Sequence, residues 1–101
     1  MLFNNAYDEQ LEELLLVEDE VEVGKKAQII VYNDDYNTFD WVIECFVKIL
    51  RHTAEQAEQC SLLIHFKGKA SVKTASKNVL KPLKDALVDK GLSAVIEEFE
   101  D

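Results

Sequence analysis

The chain has 101 residues and a net charge of −9, from 20 acidic and 11 basic side chains. One domain of this length buries roughly two-thirds of the surface its unfolded chain exposes, and no apolar run approaches the ~18 residues of a membrane span. An acidic balance without clustered Lys and Arg argues against a nucleic-acid binder. No basic stretch precedes an apolar core at the N-terminus, so no signal peptide is expected and the cytoplasm is the expected address. Cys45 and Cys60 lie inside apolar helical patterns with no Cys-x-x-Cys pairing, which predicts two buried reduced thiols rather than a disulfide or a zinc site.

The charge is uneven along the chain. Residues 1–24 hold eight acids (Asp8, Glu9, Glu12, Glu13, Glu18, Asp19, Glu20, Glu22) and no base, leaving 12 acids and 11 bases for the other 77 residues. Half of that first segment is apolar, which sets it apart from an ordinary solvated tail. Leu11, Leu14 and Leu15 suit one helical turn, and Val21 and Val23 alternate with Glu20 and Glu22 as a strand would. The segment is expected to be a partly mobile acidic extension, with residues 25–101 forming the core domain. A solubilising arm with no further role remains the alternative.

Ala27 to Tyr32 predicts a short, β-branched strand. It stops at Asn33-Asp34-Asp35, whose short side chains hydrogen-bond their own backbone and end strands. Thr38 is an N-cap with Asp40 in the first turn, and positions 39, 42, 43, 46, 49 and 50 carry an apolar helical stripe to Leu50. Arg51-His52 interrupts the pattern, and His52 reads as an ordinary surface residue. Thr53-Ala54-Glu55-Gln56 is a capping box opening a second helix to His65. Its small residues Ala54, Ala57 and Ser61 suit close packing on a neighbour.

Gly68 breaks that helix, and Ala70 to Thr74 alternates as a half-buried strand. Ser76 or Asn78 then caps a third helix with Val79, Leu80, Leu83, Ala86 and Leu87 on one face. Pro82 removes a backbone donor within it. Gly91 is placed as the C′ residue of a Schellman stop with Leu92 at C″, and Ser93 to Phe99 closes as a strand. The order β-α-α-β-α-β predicts an α+β fold, a small three-stranded, mainly antiparallel sheet with three helices on one face.

Asn33-Asp34-Asp35-Tyr36 opening a Val42-Ile43-Glu44-Cys45 helix, and His65 ahead of Phe66-Lys67-Gly68-Lys69-Ala70, together resemble the ClpS family over about residues 27–98. The resemblance implies a non-enzymatic adaptor without a cofactor. Such an adaptor hands N-degron substrates, proteins with bulky apolar N-terminal residues, to the N-terminal domain of a Clp-type AAA+ unfoldase (ClpA- or ClpC-like) and its protease. It further implies that Asn33, Asp35 and His65, with Asp34 adjoining, hold the substrate's α-amino group. The first side chain then enters a pocket walled by Asn37, Phe39, Val42, Ser61 and Ile64, with Leu92 as its last member. Several pocket positions depart from the family pattern. Asn37-Thr38 stands where Thr-Pro is common, Phe39 replaces a gatekeeping Met, and Ser61 replaces a Met of the wall, so Phe39 is placed to fill space Ser61 vacates. Tyr36, Asn78 and Lys81 are the positions implied for unfoldase docking. The acidic extension is implied to be the handle the unfoldase engages. A monomer that binds neither nucleic acid nor membrane is expected.

The chemistry of such a site follows from its ligand. A free α-amino group has a reference pKa of about 8 and is mostly a cation with three N–H donors near neutrality. Asn offers a carbonyl oxygen, Asp a carboxylate and neutral His a ring lone pair. Protonating that His would remove the acceptor, so binding should weaken on acidification. Two other readings stay open on residues alone. One is a metal or catalytic site built from Asp34, Asp35, His65 and Cys60, although no activated nucleophile or Gly-rich phosphate loop is legible. The other is a structural interaction domain in which the loop residues only cap and His65 caps the helix's last carbonyls.

Overall fold

The computed structural model describes residues 25–99. The acidic extension expected over residues 1–24, with its turn of helix and its strand, lies outside the described residues, as do residues 100–101. The element order is β1 (Lys26–Tyr32), α1 (Phe39–Leu50), α2 (Ala54–Lys67), β2 (Lys69–Ser76), α3 (Lys77–Asp89) and β3 (Ser93–Glu98). The α+β order is therefore the one the sequence predicts, with strand and helix ends moved by one to two residues.

The sheet order is β2-β1-β3, and β1 pairs antiparallel with both neighbours. Alternation along β1 puts Ala27, Ile29 and Val31 into one core with Phe46 and Leu50 of α1, Ala57 and Ile64 of α2, and Leu80 and Leu87 of α3. The other face carries Tyr32, with the Lys69 ammonium 5.7 Å from its ring centroid. All three helices thus share one side of β1.

Local signals act where they were read. Thr38 Oγ1 accepts the Trp41 N–H at 3.1 Å, and the capping box is complete, with Gln56 N–H on Thr53 and Thr53 N–H on Gln56, both at 3.0 Å. The Schellman stop forms as Gly91 N–H to the Val88 carbonyl at 2.9 Å and Leu92 N–H to the Leu87 carbonyl at 3.0 Å, with Gly91 at φ +95°. A glycine is needed there because other residues enter that region at a cost. Arg51 is the exception. It ends α1 at φ 62°, the positive φ of a non-glycine residue among those described.

Four expectations are corrected. His52 is no ordinary surface residue: it is half-buried, its Nε2 lies 2.9 Å from the Val72 carbonyl, and its ring meets Phe46 edge-on at 5.6 Å. The reason lies in β2. Pairing jumps from Ile29↔Lys73 to Ile30↔Ser71, so Val72 is the extra residue of a bulge. Facing a carbonyl, His52 Nε2 must carry the proton. Second, Ser76 occupies the N-cap position of α3 yet makes no capping bond, and Asn78 lies inside the helix. Strand runs straight into helix at this point, and the Ser76 hydroxyl is buried without a partner. Third, Cys60 is half-buried rather than buried, while Cys45 is buried, and both thiols are free. Burial pushes both thiols up from their usual range, with Glu44 adding to the effect at Cys45. Fourth, Ala54 is exposed, and of the three small residues only Ala57 and Ser61 are buried.

Candidate functional site

The site is made by extending one strand pair by a residue. Tyr32 pairs with Lys69, and the Asn33 N–H then donates to the Gly68 carbonyl at 2.9 Å. This bond pins the tip of β1 to the turn that ends α2, three residues beyond His65. Gly68 makes that turn at φ +93°, with its own N–H on the Ile64 carbonyl at 2.9 Å.

Between the tip of β1 and the facing sides of α1 and α2 lies a cavity of about 70 Å³ lined by Asn33, Asn37, Phe39, Val42, Ser61, Ile64 and His65. Exposure orders these residues from mouth to floor. Asn33, His65 and Phe39 are exposed, Asn37 and Val42 are half-buried, and Ser61 and Ile64 are buried at 3% and 5%. Asn33 and His65 therefore stand at the opening, and the deeper lining is apolar except for Ser61. Phe39 belongs to the helical stripe by spacing, but at 40% exposure it leaves the core and stands at the mouth.

Asp34 has a different place. Its Oδ1 accepts the N–H groups of Tyr36 and Asn37, each at 2.8 Å, and its Oδ2 accepts the Asn37 amide at 2.9 Å. Partial burial pushes its carboxyl up, but the hydrogen bonds from Asn37 and Tyr36 outweigh it and hold the group below its ordinary range. Asp34 does not line the cavity; its acceptors organise the loop. Asp35 is exposed beside it and also lies off the lining.

Leu92 is likewise off the lining, buried in the main core at 4% exposure. The end of α3 reaches the site through its backbone instead. The Gly91 carbonyl accepts the Asn37 amide at 2.9 Å, and the Lys90 carbonyl accepts the Trp41 indole N–H at 3.1 Å. None of Gly91, Lys90 and Trp41 lines the cavity, but Gly91 anchors the lining residue Asn37, a contact that sequence reasoning missed. A Schellman stop exposes free carbonyls, which was the available signal, but nothing local says which donors find them.

The three positions implied for docking lie on two parts of the chain, the loop after β1 and α3. Tyr36 is 88% exposed on the loop fastened to Gly91. Asn78 and Lys81 lie in the first half of α3, roughly 12–17 Å along the helix from its last residue, Asp89. Lys81 pairs with Asp85 at 3.3 Å. Among the described residues, no three His, Cys, Asp or Glu side chains come together as a metal-binding group. Nor is any helix among them long and apolar enough to cross a membrane.

Fold and site define a small α+β domain with a side-chain-sized pocket rimmed by polar groups. Residues 22–95 match the family model described as ATP-dependent Clp protease adaptor protein ClpS, and the chain belongs to that family. The family is one of adaptors, not of enzymes. The chain is 39% identical over 54 residues to an ATP-dependent Clp protease adapter protein ClpS of Nitratidesulfovibrio vulgaris, a stretch covering 54% of this chain and 52% of that one. The matched part thus spans about half the length of that relative. A ClpS of Neisseria meningitidis is 23% identical over 94% of this chain and 98% of its own. Among solved structures, ClpS2 of Agrobacterium tumefaciens bound to L-phenylalaninamide superposes with a TM-score of 0.65 at 20% identity, over 74% of this chain and 98% of that one. At that identity the likeness speaks for the fold.

Proposed function

We propose that this domain is an adaptor that holds the first residue of a substrate protein and delivers it to a Clp-type AAA+ unfoldase in the cytoplasm. The observation that carries the reading is the meeting of Asn33 and His65, from distant parts of the chain, around one cavity whose lining runs through half-buried Val42 to buried Ser61 and Ile64. In this reading the α-amino group sits at the mouth, accepting partners being the Asn33 carbonyl oxygen, the His65 ring nitrogen and the Asp35 carboxylate. The first side chain fills the cavity. The ligand of the Agrobacterium protein, a free α-amino group beside a phenyl side chain, has the same two parts.

Hydrogen bonds with a charged partner contribute about 1.5–3 kcal/mol each, and burying one Leu- or Phe-sized side chain adds about 1.5–3 kcal/mol. After the cost of association, that supports micromolar-range binding. Delivery then works by tethering: cargo gripped at one surface and unfoldase at another raise the cargo's effective concentration at the pore. Residues 1–24 serve as the acidic handle that the unfoldase engages.

Fluorescence polarisation tests the reading with peptides starting in Phe, Leu, Tyr or Gly, each free and acetylated. Acetylation removes the charge and donors and leaves the acceptors at the mouth unpaired, a steep form of discrimination. Binding confined to free termini with large side chains is the expected result. Indifference to acetylation would leave a structural interaction domain instead.

A further inference from the structure

The buried wall of the pocket holds a polar group that nothing in the protein uses. Ser61 lies on α2 one helical turn before His65, is 3% exposed and lines the cavity. Its Oγ is closed off from water in the cavity as well as outside and has no hydrogen-bond partner, so only a rotated hydroxyl would face the cavity. A buried hydroxyl without a partner is destabilising, and an alanine would fill the same space in a helix more favourably. The other polar groups of the lining are committed or sit at the mouth. The Asn37 amide nitrogen is shared between Asp34 and Gly91, and Asn33 and His65 are exposed.

Geometry says which part of a ligand would meet this hydroxyl. The cavity, about 70 Å³, is roughly half of an engineered 150 Å³ cavity that engulfs benzene in another protein. A ring entering here is held by its far half, with its near half in the mouth beside Phe39. The far atom of the ring therefore arrives at the floor, where Ser61 and Ile64 lie. A serine hydroxyl moves between staggered positions by rotation about one bond, so it can be turned toward that atom.

We propose that Ser61 reads a phenolic hydroxyl at the tip of the substrate's first side chain, so that the pocket selects tyrosine over phenylalanine. The inference rests on the adaptor reading above and deepens it by naming the preferred first residue. A phenol both donates and accepts, as does serine, so one hydrogen bond satisfies two otherwise orphaned groups. Phenylalanine would seal Ser61 beside an apolar ring edge and leave it unsatisfied.

The test uses the full chain and five peptides identical beyond the first residue: Tyr-start and Phe-start, each free and acetylated, and a free Gly-start control. Dissociation constants are measured for the wild type and for Ser61→Ala. Wild type should bind the free Tyr peptide about three- to tenfold more tightly than the Phe peptide, the range of one neutral hydrogen bond. In Ser61→Ala that ratio should fall to one or below, through weaker Tyr binding and unchanged or tighter Phe binding. A melting temperature equal to or above wild type would show the variant folded. The proposal is overturned if the wild type prefers Phe, if neither ring peptide outbinds a Gly-start control, or if Ser61→Ala leaves the ratio unchanged. If the wild type prefers Phe, or Ser61→Ala leaves the ratio unchanged, a persisting loss on acetylation keeps the adaptor reading standing, whereas ring peptides no tighter than the Gly-start control, or binding indifferent to acetylation, would remove both.

Discussion

Asp34→Ala removes the centre of the loop that positions the pocket without touching the cavity lining. Three donors lose their acceptor: the N–H groups of Tyr36 and Asn37, each at 2.8 Å, and the Asn37 amide at 2.9 Å. Hydrogen bonds to a charged group contribute about 1.5–3 kcal/mol each when protected. These are exposed or half-buried, so water replaces much of what is lost, and the nearer comparison is the loss of a strong helix cap, at most about 2 kcal/mol. We expect about 1–2 kcal/mol, which is roughly 4–16 °C in melting temperature for a domain of this size. Affinity for a free-amine peptide should fall as well, because Asn37 loses one of its two anchors. The pH dependence has a definite sign. The folded-state carboxyl lies below its ordinary value, 3.8, so its stabilisation is present above the unfolded pKa and is lost as pH falls through the lower folded value. The gap between wild type and Asp34→Ala should therefore be full at pH 7 and close as acid is added below about pH 4. Differential scanning calorimetry from pH 7 to 3, with a binding titration at pH 7, checks both parts. An unchanged melting temperature with lost binding would refute the reasoning and make Asp34 a direct ligand of the amine.

Arg51→Gly should stabilise the protein by about 1 kcal/mol, since a side chain at positive φ carries roughly that strain, offset in part by the freedom glycine adds to the unfolded chain; urea denaturation reads it. Ser76→Ala should change stability by less than about 0.5 kcal/mol or raise it, because the hydroxyl caps nothing. Thr53→Ala, which breaks a complete capping box, should cost about 1 kcal/mol in the same assay. Deleting residues 1–24 should leave peptide affinity within about twofold while abolishing unfoldase-dependent degradation of a model substrate, the expected separation of grip from handle.

Caps and stops were legible because they close within three to five residues. Thr38, the Thr53–Gln56 box and the Gly91–Leu92 stop each pair groups that are neighbours in sequence. The lining of the pocket was legible in a second way, as a resemblance carried by Asn33-Asp34-Asp35 and His65. What escaped depends on long-range registration. His52 becomes a half-buried cross-link to the Val72 carbonyl beside a bulge in β2, and no local pattern announces a bulge whose extra residue is an ordinary valine. Leu92 was given to the pocket by the resemblance, but its side chain is buried in the core and the Gly91 carbonyl is the group that meets Asn37. Ser76 shows a local rule overridden: it holds the right position for a cap, yet ending β2 buries its hydroxyl away from the helix N–H groups.

The central claim is spatial, that an unblocked protein N-terminus enters between the tip of β1 and the end of α2. Amide chemical-shift mapping of the labelled protein with a free Tyr-start peptide tests it most directly. The account predicts shifts at Asn33, Asn37, Ser61, Ile64 and His65, and none with the acetylated peptide. Shifts centred on the Lys77–Lys84 face of α3, or an identical response to the blocked peptide, would contradict it.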